Sequence, residues 1–343
     1  MIQAGQDFNF LKQKVKDIGA EQAGAWLIEG INKNEKFVER LRVRDMYEAL
    51  QSTVFPKAIG ALISKKVLDA YEATPTIGRE LVTIVPSNKK TETIIGFNAA
   101  DTPELVPEGT PYQDTSIGEK YVTVETAKYG RVISITEETI MFDQTGQILN
   151  RCQDIGEKAA LYQEKMIVEG VIDKNSNVYK PKGTATAFYQ SSTQPYNKFS
   201  SSGLSEAALA SMKDLMDGQY DSNGDPILIN RANLILLVPA EKEITAYKLM
   251  NSQQVLGSGN NDPNYFKGRY RILSSPFLTD ANDFYLGDFK KDFWWMEIYP
   301  LQTLRHDEPS EANWSRDIVA QFKVRFYGGI GAVDNKHCYM GDV

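Results

Sequence analysis

Apolar side chains recur every three or four positions over roughly the first seventy residues, then at every second position, and this change of period divides the chain. Phe8, Phe10, Leu11, Val15 and Ile18 predict a helix that Gly19 ends. Phe37, Leu41 and Tyr47, interleaved with Arg40, Arg42, Arg44 and Glu48, predict a second, highly charged helix. A third runs from Pro56, a good first-turn residue, through Ala58, Ile59, Leu62, Ile63 and Val67 to Tyr71, closed by Pro75 and Gly78. From there the pattern is strand-like: Leu81–Val85 stops at Pro86, Thr91–Phe97 follows, and Tyr121–Glu125 and Arg131–Ile135 come after a turn-rich stretch. That stretch carries Pro103, Pro107, Gly109, Pro111 and Gly118, so residues 87–130 predict a long hairpin with a polar tip.

A two-stranded ribbon is marginal in water, and this one has too little apolar surface to form a core of its own. It must pack on its own domain, lie on something else, or stay loose. Ser134 to Glu137 matches a capping box, and a long helix is expected over about 145–172. Its apolar stripe reads Ile148, Cys152, Ile155, Ala159, Tyr162, Met166 and Gly170, with Glu157, Lys158, Glu164, Lys165 and Glu169 on the solvated side. Residues 173–203 are loop-like; Ser205 caps a helix through Leu209, Met212 and Met216. A strand over Ala232–Val238 leads through Pro239 into a helix to Met250. Short strands over Arg269–Leu273 and Phe284–Gly287 precede the β-rich Phe293–Tyr299. Strict alternation from Ile318 to Tyr327 predicts a strand, with a turn at Gly328-Gly329 and another strand from Ala332 to about Tyr339.

Composition narrows the chemistry. The chain has 343 residues, enough for about two domains. No apolar run approaches the roughly 18 residues of a membrane helix, and no secretory signal is visible at Met1, which points to a start in the cytosol. Two cysteines make no disulfide framework, and two histidines supply little material for zinc sites or Ser-His-Asp catalysis. No catalytic, metal or cofactor residue is assigned. A net charge of −7 disfavours gripping phosphates and suits the wall of a container, as it suits many other proteins. Gly328–Gly331 lacks dinucleotide spacing and reads as a turn; Asp221–Asp225 misses the calcium-loop pattern. Arg305–Glu308 reads as a solvated loop rather than an acid–base cluster, and of Trp294-Trp295 one faces the core and one an interface.

Four segments carry a resemblance: Leu105–Pro111 on the hairpin, Lys128–Ile135 followed by Thr136–Asp143, Ala159–Gly170, and Leu234–Pro239 before a helix. In this order they resemble the major capsid proteins of tailed phages, the Hong-Kong-type shell fold shared with encapsulins, over residues 50–343. The resemblance implies an α+β fold with an N-terminal arm at 1–50 and an extended loop at 87–130. A peripheral domain would take 51–86, 131–225 and 296–343 with its spine helix at 145–172, and an apical domain 226–295. It further implies a shell subunit, not an enzyme, that forms pentamers and hexamers of an icosahedral head around DNA held non-specifically. Its extended loop would lie on a neighbour, with Val106, Pro107, Glu108, Gly109 and Tyr112 as contacts, and Phe8, Phe10 and Leu11 would anchor the arm. Portal, scaffolding and cement proteins are the expected partners, with assembly in the host cytoplasm. An encapsulin-like nanocompartment is the alternative. Some relatives crosslink the loop through a tip lysine; here residues 97–119 contain none, while Lys89, Lys90, Lys120 and Lys128 sit toward the base.

Overall fold

The computed structural model describes residues 2–33, 43–50, 55–97, 119–142, 147–192, 196–200, 203–220, 224–227, 229, 233–255, 262–305 and 317–342. They fall into two compact units. The first comprises Met1–Thr76, Lys128–Tyr162 and Tyr299–Tyr327; the second comprises Ile77–Ala127, Gln163–Ile298 and Gly328–Val343.

In the first unit α1 (Ile2–Ile18) ends at Gly19, whose φ of 84° suits a residue without Cβ, and α2 (Ala20–Asn32) follows at once. The periodicity predicts α1 and leaves α2 unpredicted. Gly24 and Gly30 of α2 are buried. α3 (Val43–Ala49) is the described part of the charged helix expected around Tyr47. α4 (Phe55–Ala73) packs on α2, and Lys65 Nζ donates to the carbonyl of Ile31 at the α2 C-terminus.

In the second unit α5 (Gly78–Leu81) leads into β1 (Thr83–Pro86), so Gly78 opens a short helix instead of closing the long one. β2 (Thr91–Phe97) and β3 (Glu119–Glu125) pair antiparallel as the expected ribbon. β4 (Ala127–Thr136) already belongs to another sheet, so the ribbon ends before it.

α6 (Glu137–Phe142) is capped by Thr136, whose Oγ1 accepts from the Thr139 N–H at 3.3 Å. Ser134, expected as the cap, stays in β4 and accepts from Gln321. The long helix is α7 (Gln147–Val171). Ile148, Cys152 and Gly170 are buried as the expected stripe requires, but the buried line then passes through Gly156, Ala160, Glu164 and Ile167. Tyr162 is 46% exposed. The small residues decide this: a Cβ at Gly156 would overlap the carbonyl oxygen of Val67 on α4.

The remaining strands are β5 (Lys198–Ser200), β6 (Ile235–Pro239), β7 (Arg271–Ser275), β8 (Phe284–Gly287), β9 (Phe293–Arg305), β10 (Ile318–Ala332) and β11 (Cys338–Asp342). One sheet has the order β1-β9-β10-β4 and another β5-β11-β8-β6-β7. The second sheet carries α8 (Glu206–Asp217), capped by Ser205 as expected, and α9 (Glu243–Asn251), reached through a 3₁₀ turn after Pro239. Leu209 and Met212 of α8, Leu236 of β6, Leu249 of α9, Phe284 of β8 and Tyr339 of β11 share its core. The sheet and its core reach beyond the interval 226–295. β5 and β11 lie outside that interval yet are hydrogen-bonded members of the sheet, and α8 packs on it.

β10 continues through Gly328 and Gly329, where the pattern predicts a turn, and the next strand starts at Cys338. The glycines are there for space: a Cβ at Gly328 would stand 2.6 Å from the Trp295 ring, and one at Gly331 would overlap Val124. Trp295 is buried and Trp294 half-buried.

Candidate assembly surfaces

The ribbon has two unlike faces. Opposite residues of an antiparallel pair project to the same side, so the register Ile94↔Val122 and Ile95↔Tyr121 sets two layers. Val122 and Val124 are buried in their own unit, over Gly331. The outer edge of β3 is held by the 180–182 segment: Thr123 N donates to the Lys180 carbonyl at 3.2 Å, and Lys182 N donates to that of Tyr121 at 3.0 Å. At the ribbon's foot Thr126 donates through N and Oγ1 to the Lys90 carbonyl. On the other face Ile95 and Tyr121 form a cross-strand apolar pair that is 66% and 38% exposed. The tip contacts Val106, Pro107, Glu108, Gly109 and Tyr112 lie outside the described residues.

The arm separates its three candidate anchors. Leu11 is completely buried, so it offers no surface to a neighbour. Phe10, one residue earlier, is 50% exposed and meets the edge of Trp26 at 5.9 Å, with Lys14 Nζ 5.6 Å from the same indole. Phe8 lies on the same helix, its side chain outside the described set.

Three of the buried carboxylates in the second unit, Glu164, Asp173 and Asp292, escape a pattern-based reading because each sits among apolar neighbours or in a loop. Glu164 of α7 accepts the Ile77 and Gly78 N–H groups at 3.1 and 2.6 Å. Asp173, at a φ of 49°, accepts the Phe188 N–H at 2.6 Å and ties down the loop after α7. Burial raises the pKa of both, and the backbone donors only partly offset it. Asp292 accepts the His337 N–H at 2.9 Å and lies 2.8 Å from His337 Nδ1.

Cys338, next in sequence, interacts with the same carboxylate, and burial and that negative charge push its thiol well up. The Asp292, His337 and Cys338 set therefore does not make a nucleophile: the sulfur faces the acid and stays protonated. Burial likewise raises the Cys152 thiol to about 11. Among the described residues no group of three or more His, Cys, Asp or Glu side chains is placed to hold a metal ion. Arg305 has its backbone in β9, and His306, Asp307 and Glu308 lie outside the described residues.

A family model described as phage capsid protein matches residues 119–340. The chain belongs to the phage capsid protein family. Solved structures agree on the fold. A cyanophage P-SCSP1u capsid matches with a TM-score of 0.55 at 11% identity, over 78% of this chain and 88% of that one. The capsid of a native GTA particle matches with 0.53 at 13% identity, over 78% and 89%. The mature capsid of bacteriophage PhiM1 matches with 0.50 at 12%, over 78% and 87%. No curated protein sequence matches the chain.

As a phage capsid protein the chain is a major shell subunit of the virion head, with the α+β Hong-Kong-type fold expected from its order of elements. The match supports the phage reading more than the nanocompartment alternative. The family model begins at Glu119 and so takes in β3, the spine helix and the five-stranded sheet. A capsid subunit works through surfaces repeated in every copy, so its exposed apolar side chains are the candidates for function. Ile95 and Tyr121 on the ribbon, Phe10 on the arm, Met141 and Phe142 at the end of α6, and Ile244 and Tyr247 of α9 are among them.

Proposed function

We propose that the subunit tiles pentamers and hexamers of an icosahedral head around phage DNA, and that its ribbon is the principal tie between neighbours. The carrying observation is the split character of the ribbon: Val122 and Val124 root it in its own chain, while the Ile95–Tyr121 pair stays exposed. A rooted ribbon can present its apolar face in a fixed direction, which lowers the entropy cost of docking. The tip beyond Phe97, with Val106, Pro107, Glu108, Gly109 and Tyr112, extends the same tie, and Phe10 supplies a second contact from the arm. Each contact is modest, and repetition around a closed shell multiplies them. Assembly takes place in the host cytoplasm with portal and scaffolding proteins, and a cement protein can bind the finished surface.

Deleting Asp101–Ser116 should leave a folded, soluble subunit that forms no shells in electron micrographs. Ile95→Ser with Tyr121→Ser should reduce particle yield while the melting curve of the free subunit stays close to the parent's. Normal particles from both variants would overturn the role of the ribbon.

A further inference from the structure

We infer that Asp292 and His337 form a carboxylate–imidazolium clamp that pins the turn between β10 and β11, and that neutralising the ring weakens the clamp and loosens the entry of β11. Asp292 ends the short helix α10 (Phe289–Asp292) and is completely buried, whereas the His337 ring is 19% exposed and can exchange a proton with water. Both Asp292 oxygens are committed to His337, one to the backbone N–H and one to Nδ1. Two further backbone bonds close the same joint: Val333 N donates to the Asp292 carbonyl at 2.7 Å, and Asp288 N donates to that of His337 at 3.2 Å. Gly287 must lack a side chain there, because its Cβ would stand 2.6 Å from the Cys338 Cα. The clamp thus fixes the residue immediately before β11, which lies between β5 and β8.

The surrounding charges set the direction. Burial opposes the imidazolium, but the hydrogen bond and the attraction of Asp292, aided by Asp334, outweigh it and the repulsion of Lys291, so the His337 pKa is raised. Burial also raises Asp292, against the pull of His337 and together with the repulsion of Asp334. Lys291 faces the pair from α10, Asp334 from the turn, Cys338 and Tyr339 from β11, and Tyr189 from the loop after α7, with Asp288 acting on Cys338. Both members of the clamp hold a proton more tightly in the folded chain than in the unfolded one. By linkage, the imidazole's contribution is full below the unfolded value of 6.5 and is lost as the pH rises through its higher folded value.

The chain has two histidines, so an H306Q background leaves a single imidazole whose ring signal can be titrated by NMR on the full-length protein. The His337 midpoint should lie above 6.5, and amide exchange across residues 333–337 should quicken with pH beyond its intrinsic dependence. The opening constant should rise by up to about tenfold per pH unit between 6.5 and the His337 midpoint and level off above it. His337→Asn places a neutral amide nitrogen where Nδ1 stood, and should hold the turn as loosely as the parent does with its ring neutral, without the pH dependence. Asp292→Asn should lower the midpoint. A parent midpoint below 6.5, or the same pH-dependent opening in H337N, would overturn the inference; H337N decides it even where D292N fails to fold.

Discussion

Glu164 shows what a single residue can hide. Its position on α7 groups it by sequence with Glu157, Lys165 and Glu169 on a solvated side, yet it is 6% exposed and receives two backbone N–H groups from the start of α5. Periodicity sees spacing and residue class, but it cannot see that a turn 86 residues earlier presents two unpaired donors to that side. Glu164→Ala should therefore cost about 1–3 kcal/mol in chemical denaturation, because it strands buried donors. Glu164→Gln keeps an acceptor and should cost less. The raised carboxyl also has a sign: the folded chain holds its proton more tightly, so its contribution falls as the pH rises from the unfolded value of 4.5 through the folded one. That decline should be absent in the glutamine variant. The residues legible beforehand are those whose partners are local or purely apolar, such as Ser205 as a cap and Cys152 as a small buried hydrophobe.

At the level of elements, β2, β8 and the long helix follow the pattern closely because each has an unbroken period and clear stops. Glycine misleads at β10, where it signals tight packing and not a break. The arm carries the sharpest test of an element. Leu11 and Phe10 are neighbours in sequence with opposite burial, a distinction that spacing alone does not draw since both fit an apolar cluster. Leu11→Ser should lower the melting temperature of the free subunit, with a loss of about 2–5 kcal/mol typical of a truncated core residue. Phe10→Ser should stay within about 0.5 kcal/mol in the free subunit and instead weaken particles against dissociation. Equal effects of Phe10→Ser on the subunit and the particle would place that ring in the subunit's own fold.

For the whole molecule, the order of ribbon, spine helix and strand-proline-helix is readable because it is linear along the chain. The membership of the five-stranded sheet is not, because β5 and β11 join it from outside the interval that their neighbours occupy. The same scale governs cohesion. Residues 97–119 contain no lysine, and Lys89 and Lys90 stand at the ribbon's foot, where their carbonyls are bonded to Thr126. An isopeptide bond needs an amine at the neighbour's side chain. Mature heads boiled in detergent should therefore give one monomer band near 38.5 kDa. A ladder resistant to boiling and reductant would identify a lysine donor, with Lys120 and Lys128 the first to replace.

β11 lies between β5 and β8, although it is the latest of the three to be translated. On a ribosome, β8 is complete some fifty residues before β11 emerges, a wait of seconds at about 5–20 residues per second. Throughout that interval the edge of β8 is an open template, on a polysome crowded with identical nascent chains. Slower synthesis lengthens the exposure and abundant trigger-type chaperones shorten its effect. The yield of soluble subunit should thus depend on how quickly codons 288–338 are read, which synonymous recoding of that stretch can vary without touching a single side chain.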